Sequence, residues 1–273
     1  MMKSEKHELR GSGGRLVVHS WGEPEGEPTA RYIALLAHGY GEHAGRYEHV
    51  AQRLVAHGAA VYAPDHRGHG LSDGDRALIE DVEAMVDDLH AVADFARGRH
   101  PRLPMILIGH SMGGLLAARF AQRYEPELMG LVLSGPAIGG NPEMKQLLAL
   151  DPIPEIPIDP ATLSRDPQVG RAYAEDPLVF HGPFARQTLK SLFEAIDRVA
   201  AGPSLDVPGL FIHGDDDRLV PLDPARDAAR RLCTDFLEEH VYAGGRHELF
   251  NETNKEEVLD DVVSFVDAVL QRT

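Results

Sequence analysis

Residues 108–114 read IGHSMGG, a serine with a glycine two residues away on either side. The apolar run MILI (105–108) leads in, and LLAARFAQRY (115–124), with helix-like spacing, leads out. With ten serines and 27 glycines in 273 residues, chance gives about 0.1 matches to G-x-S-x-G. The chain holds two, the second being GLSDG (70–74) within DHRGHGLSDG (65–74), so context has to separate them. Around Ser111 the order is strand, sharp turn, helix, the frame of a nucleophile elbow. Such a turn brings the helix start against the strand end, where a Cβ at 109 or 113 would crowd the approach, and it holds the serine at strained dihedrals with its Oγ exposed. Ser72 has no apolar strand directly before it, and its glycines read as loop glycines. Ser111 is therefore the candidate nucleophile and Ser72 the decoy.

Outward from this elbow, short apolar runs recur: RLVVHSW (15–21), YIALLAHG (32–39), AAVYAPD (59–65), PMILIGH (104–110), MGLVLSG (129–135), PGLFIHGD (208–215) and EEHVYAGG (238–245). Several are continuously apolar, as in strands buried on both faces of a parallel sheet. Helix-period segments lie between them. Val82, Met85, Val86, Leu89, Val92 and Phe95 share one face, and so do Val258, Val262, Val266 and Val269. Alternating strands and helices predict a doubly wound α/β fold, a mostly parallel central sheet flanked by helices. From 136 to 207 no core strand is evident, although a crossover needs only about a dozen residues. The proline-rich DPIPEIPIDP (151–160) and the helical RQTLKSLFEAIDRVAAG (186–202) fall there. This predicts a core of 1–136 and 207–273 with a helical cap inserted at 137–206, above the strand ends where such sheets place their sites.

Composition narrows the function. Asp plus Glu total 43 against 27 Lys plus Arg, a formal charge of −16. That field repels nucleic acid and anionic membrane surfaces, while neutral lipids and small esters are unaffected. The single cysteine, Cys233, admits no disulfide within the chain and reads as a buried, inert thiol. The opening MMKSEKHELRGSGG has no apolar core of signal-peptide length, and no stretch reaches the roughly 18 apolar residues of a membrane span. A cytoplasmic protein is expected.

A serine is a weak nucleophile without a base and a group to orient that base. In this fold logic the partners follow later strands in the order acid, then histidine. After GLFIH come Asp215, Asp216 and Asp217, and after HVYAGG comes His247, just before the closing helix. Asp217 is the preferred acid; spacing alone leaves Asp215 and Asp216 open, and a cation site or a capping turn is the alternative use of three aspartates. An oxyanion hole needs two donors: the N–H of Met112, directly after the nucleophile, and one from the loop after an early strand, where ALLAHGYGEH offers the N–H of Tyr40. His38, His43, His66 and His69 match no zinc spacing and read as loop hydrogen bonding, and His110 as a neighbour behind the serine.

With these residues placed, the chain resembles the monoacylglycerol lipases of the α/β-hydrolase family, bacterial type. The matching stretches are HGYGEHAGRY (38–47), DHRGHGLSDG (65–74), GHSMGG (109–114), SRDPQVGRAYAEDPL (164–178), HGDDDRLVP (213–221) and GRHELFNE (245–252), through nearly the whole chain and its cap. The resemblance implies Ser111 as nucleophile, Asp217 as acid, His247 as base, and Tyr40 and Met112 as oxyanion donors. It implies cleavage of glycerol monoesters to glycerol and fatty acid with no cofactor and no metal. The partner implied is a small lipid ester, with peripheral membrane contact through the cap. The runs LLAL (147–150) and IPEIPI (153–158) are short, so weak docking is expected. Val220 stands where mammalian members carry a cysteine near the acid, so thiol-directed inhibition there is expected to be absent. A lysophospholipase or short-chain carboxylesterase would share every catalytic residue, and a non-catalytic binding protein on this fold would share the cavity. Oligomeric state is not written in the sequence.

Overall fold

The continuously apolar runs pair into the interior of one eight-stranded sheet. In this computed structural model the described residues are 4–22, 30–154 and 157–272. The strands are β1 (Glu5–Gly11), β2 (Gly14–Trp21), β3 (Tyr32–Ala37), β4 (Ala59–Pro64), β5 (Met105–His110), β6 (Gly130–Ser134), β7 (Gly209–Gly214) and β8 (Leu237–Tyr242). Their order across the sheet is 1-2-4-3-5-6-7-8. The strands from β4 to β8 run parallel, and β1 and β2 form an antiparallel margin. Every residue of β3, β4, β5, β6 and β7 is buried, because helices cover both faces of the sheet.

The helices are α1 (Glu48–Ala56), α2 (Val82–Arg99), α3 (Met112–Tyr124), α4 (Pro142–Gln146), α5 (Pro167–Glu175), α6 (Arg186–Ala201), α7 (Leu222–Leu232) and α8 (Lys255–Leu270). On one face Leu54 of α1 and Val258, Val262 and Val266 of α8 pack on Ile106, Ile108 and Val132. On the other, Leu89 of α2, Phe120 of α3, Val199 of α6 and Ala229 of α7 pack on Leu107, Leu133 and Phe211. The expected α/β architecture is present, with one addition. The sequence reading had no strand before residue 15, yet β1 pairs with β2 from Glu5↔Ser20 to Gly11↔Gly14. Its residues, EKHELRG, are exposed or half-buried, so this sheet-edge strand lacks the apolar signal of the interior ones.

Between β6 and β7 the chain holds α4, α5, α6 and short 3-10 turns, and no strand among the described residues. Glu155 and Ile156 of the IPEIPI run lie outside the described residues. Packing divides this segment. α6 is stapled to the core: Thr188 Oγ1 accepts from the Ile79 N–H at 3.0 Å and Ser191 Oγ from the Val82 N–H at 3.1 Å. Gln122 on α3 donates to the carbonyls of Val199 and Pro203. The stretch around 161–180 is sewn to the loops above the sheet instead. The Arg165 guanidinium pairs with the buried Glu252 at 2.9 Å, Arg246 donates to the carbonyls of Ala161 and Ser164, and the Phe180 N–H donates to the Gly41 carbonyl at 2.7 Å. No helix among the described residues is long and apolar enough to cross a membrane.

Candidate active site

β5 ends at His110 and α3 begins at Met112, leaving Ser111 alone at the turn with φ 55° and ψ −117°. This is left-handed backbone that a residue with a Cβ rarely adopts. The flanking glycines make it geometrically feasible. A Cβ on Gly113 would sit 2.0 Å from the Ala37 carbonyl oxygen, and one on Gly109 2.3 Å from that of Gly113. Helix and strand backbones therefore touch, and the Ser111 hydroxyl stands above the sheet.

Neighbouring strands deliver the other groups to the same edge. β3 lies beside β5, Ala37 against Gly109, so the loop after β3 rises next to the elbow. Tyr40 on that loop and Met112 at the helix start line one cavity with Ser111, and neither N–H donates to a partner among the described residues. β7 and β8 bring the loops with Asp217 and His247. The structure joins all three sequence-predicted side chains: the Ser111 hydroxyl donates to His247 Nε2 at 2.9 Å, and His247 Nδ1–H donates to Asp217 Oδ2 at 2.8 Å. The second Asp217 oxygen accepts from the N–H groups of Leu219 and Val220 at 2.9 and 3.0 Å, which locks the carboxylate. The neighbouring aspartates turn elsewhere. Asp215 accepts from the Gly244 N–H, and Asp216 pairs with Arg218 at 3.1 Å.

Burial, acting alone, favours a neutral His247 ring and a protonated Asp217. Their mutual attraction and hydrogen bond outweigh it, so His247 is held above the ordinary histidine value and Asp217 below the ordinary carboxylate value. The result is a ring with Nδ1–H fixed on the acid and Nε2 free to take a proton. His110, its ring 4.7 Å from that of His247, is turned away by its bond to the Ser134 carbonyl; burial, with His247 beside it, pushes it down to about 4.

The remaining motif residues build the frame. Ser72 is buried, its hydroxyl donating to the Asp65 carbonyl and accepting from the Val17 N–H. Asp65 itself accepts from the N–H groups of Ala44 and Leu71. His38 packs against His66 and His69 with tilted rings, and it bridges the Gly39 carbonyl and the His66 N–H. Among the described residues no group of three or more His, Cys, Asp or Glu is arranged to hold a metal ion.

Above Ser111 opens a cavity of about 370 Å³. Met144, Leu147, Leu192 and Ile196 from the connection between β6 and β7 are among its apolar lining residues, and Glu42, Arg46 and Glu248 also line it. These three were not singled out from sequence. The spacing of Glu42 and Arg46 in GEHAGRY, one helical turn apart, and the adjacency of Glu248 to His247 were the available signals.

Residues 28–254 match the family described as serine aminopeptidase, S33. The chain belongs to that family. It is similar to the monoacylglycerol lipase of Mycolicibacterium smegmatis, with 40% identity over 273 aligned residues and 96% of each chain covered. It is also similar to the monoglyceride lipase of Homo sapiens, with 34% identity over 257 residues, 90% of this chain and 84% of that one. Among solved structures, the monoacylglycerol lipase of Paleococcus ferrophilus superposes with a TM-score of 0.80 at 28% identity, covering 94% of this chain and 99% of that one. The family and these relatives place the chain among the α/β-hydrolases and make it a hydrolytic enzyme.

Proposed function

We propose that the protein hydrolyses monoacylglycerols to glycerol and free fatty acid through an acyl-enzyme on Ser111. The observation that carries this reading is the continuous Asp217–His247–Ser111 hydrogen-bond chain opening on a cavity of about 370 Å³ lined mostly by apolar side chains. A single acyl chain matches that lining, and the relatives at 40% and 34% identity are named for this substrate.

In the first step Ser111 Oγ attacks the ester carbonyl as its proton passes to His247 Nε2. Asp217 stabilises the imidazolium and keeps the ring oriented. The carbonyl oxygen, now negative, accepts from the N–H groups of Tyr40 and Met112. The C–O bond to glycerol breaks, and His247 returns its proton to the leaving alkoxide. Water then gives a proton to His247 as its oxygen attacks the acyl carbon; the bond from that carbon to Ser111 Oγ breaks, His247 passes the proton to Oγ, and the fatty acid leaves.

Residues 137–206 are proposed to act as the cap, with α6 both packed on the core and lining the cavity. The proposed location is the cytoplasm, with only transient contact between cap and lipid surfaces. Leu150 is the one large apolar side chain of this segment, among the described residues, that is freely exposed, and the chain carries −16.

The test is a panel of monoacylglycerols of graded chain length, diacylglycerols, lysophosphatidylcholine and short-chain esters, with fluorophosphonate labelling of the wild type and Ser111→Ala. Monoacylglycerols are expected to turn over fastest and the mutant to take no label. Faster turnover of lysophosphatidylcholine would overturn the substrate. Undiminished labelling of Ser111→Ala would move the chemistry to another residue.

A further inference from the structure

We propose that Arg46 is a positioning residue, a buried guanidinium clasp that holds the Tyr40 loop and the His247 loop at a fixed separation around Ser111. The inference rests on the catalytic reading of Ser111 and His247 given above.

The geometry is a chain of charge-assisted bonds across 202 residues of sequence. Glu42 Oε1 accepts from the Gly39 N–H at 2.6 Å and from the Tyr47 hydroxyl at 2.7 Å, so this carboxylate holds the backbone one peptide before that of the Tyr40 N–H. Arg46 Nη1 donates to Glu42 Oε2 at 2.7 Å and to Glu248 Oε1 at 2.7 Å, and its Nη2 donates to Glu248 Oε2 at 2.8 Å. Glu248 directly follows His247. The side chains of Arg46, Glu42 and Glu248 are 10%, 5% and 5% exposed, and the Tyr173 ring covers the guanidinium, its centroid 5.2 Å away. A two-pronged guanidinium between two buried carboxylates fixes both distance and angle, which a single point charge does not.

The arrangement is also electrically unbalanced, two carboxylates against one cation. His247 faces Asp217 from the loop after β7, His213 of β7 behind that acid, His110 at the end of β5, Glu42 and Arg46 from the loop after β3, and its own neighbour Glu248. Arg246, on its other side, is engaged with Asp216 and with carbonyls of the inserted segment. Glu42 and Glu248 both favour the protonated His247, and Arg46 moderates them. The clasp therefore has an electrostatic signature as well as a geometric one.

The experiment measures kcat, KM and the pH profile on a water-soluble short-chain ester for the wild type, Arg46→Met, Arg46→Lys and Glu248→Gln. In Arg46→Met, kcat is expected to fall about 10²-fold, the loss that follows displacement of catalytic groups by about 1 Å, with KM nearly unchanged. Its acid limb is expected to move to higher pH, because two carboxylates near His247 lose their counter-ion. Arg46→Lys is expected to return the acid limb and recover part of kcat. Glu248→Gln is expected to move the limb to lower pH. Unchanged kcat in Arg46→Met overturns the proposal, as does a raised KM with an unmoved acid limb, which would make Arg46 a substrate contact. A fall in kcat with no limb shift in Arg46→Met and Glu248→Gln reduces the trio to fold support and overturns it too. If Arg46→Met does not fold, an unmoved limb in Glu248→Gln is decisive against it. Failure of the underlying reading shows separately, as label retained in Ser111→Ala.

Discussion

On the proposed reading, the Ser111 hydroxyl gains its reactivity through two bonds, its own to His247 and that of His247 to Asp217. Asp217→Asn leaves the His247 Nδ1–H without a carboxylate and removes the charge that stabilises the imidazolium. A kcat loss of about 10⁴-fold is expected from the role of such an acid, and the acid limb of kcat/KM is expected to move down, since Asp217 is what holds His247 above its ordinary value. Asp215→Asn and Asp216→Asn, whose carboxylates serve the Gly244 N–H and Arg218, are expected to leave kcat nearly unchanged. Rate measurements on the three variants across pH check this directly. A second prediction concerns thiols. Cys233 is buried, and burial together with Glu125 pushes it up to about 12, while Val220 lines the cavity beside the acid. Incubation with a maleimide is therefore expected to leave activity intact.

At the scale of elements, the sheet edge collects groups that the chain keeps far apart, and two sutures hold the connection between β6 and β7 over them. Thr188→Val and Ser191→Ala each leave one buried N–H, of Ile79 or Val82, without its acceptor. A loss of about 1–3 kcal/mol per variant is expected in urea unfolding. Glu252→Ala strips the acceptor from the half-buried Arg165 guanidinium and from the N–H groups of Arg165, Arg246 and Thr253, and is expected to cost about 1–3 kcal/mol, as stranding such donors does. Elements such as β3 and β5 were legible because a strand buried on both faces must be apolar throughout. β1 was not, since an edge strand reading EKHELRG carries no such requirement. The elbow could be read from strand, glycine and helix in sequence. Arg46 and its two carboxylates could not, because their meaning lies in a contact between residues 46 and 248 that no local pattern encodes. Likewise three adjacent aspartates look alike until the turn after β7 aims one of them at His247.

Over the whole molecule, the charge-neutral histidines of the interior set the acid limit of stability. Burial holds His66 at about 3, His69 and His110 at about 4, and His38 well below the ordinary 6.5. Below pH 6.5 the unfolded chain takes up protons that these native rings refuse, so stability falls as pH falls, by about 1.4 kcal/mol per ring per pH unit until each native value is reached. His247, raised instead of lowered, offsets part of this. Against a typical reserve of about 5–15 kcal/mol, acid unfolding is expected within about two units below 6.5, and urea midpoints measured stepwise from neutral pH check it. The unbalanced trio of Glu42, Arg46 and Glu248 has one more effect, on how a turnover ends. An ester enters without charge, but on the proposed reading the acid released beside Ser111 is an anion, born next to a surplus carboxylate in a chain that is −16 overall. Like-charge repulsion then weakens the hold on the released anion and hastens its departure, clearing the pocket for the next ester.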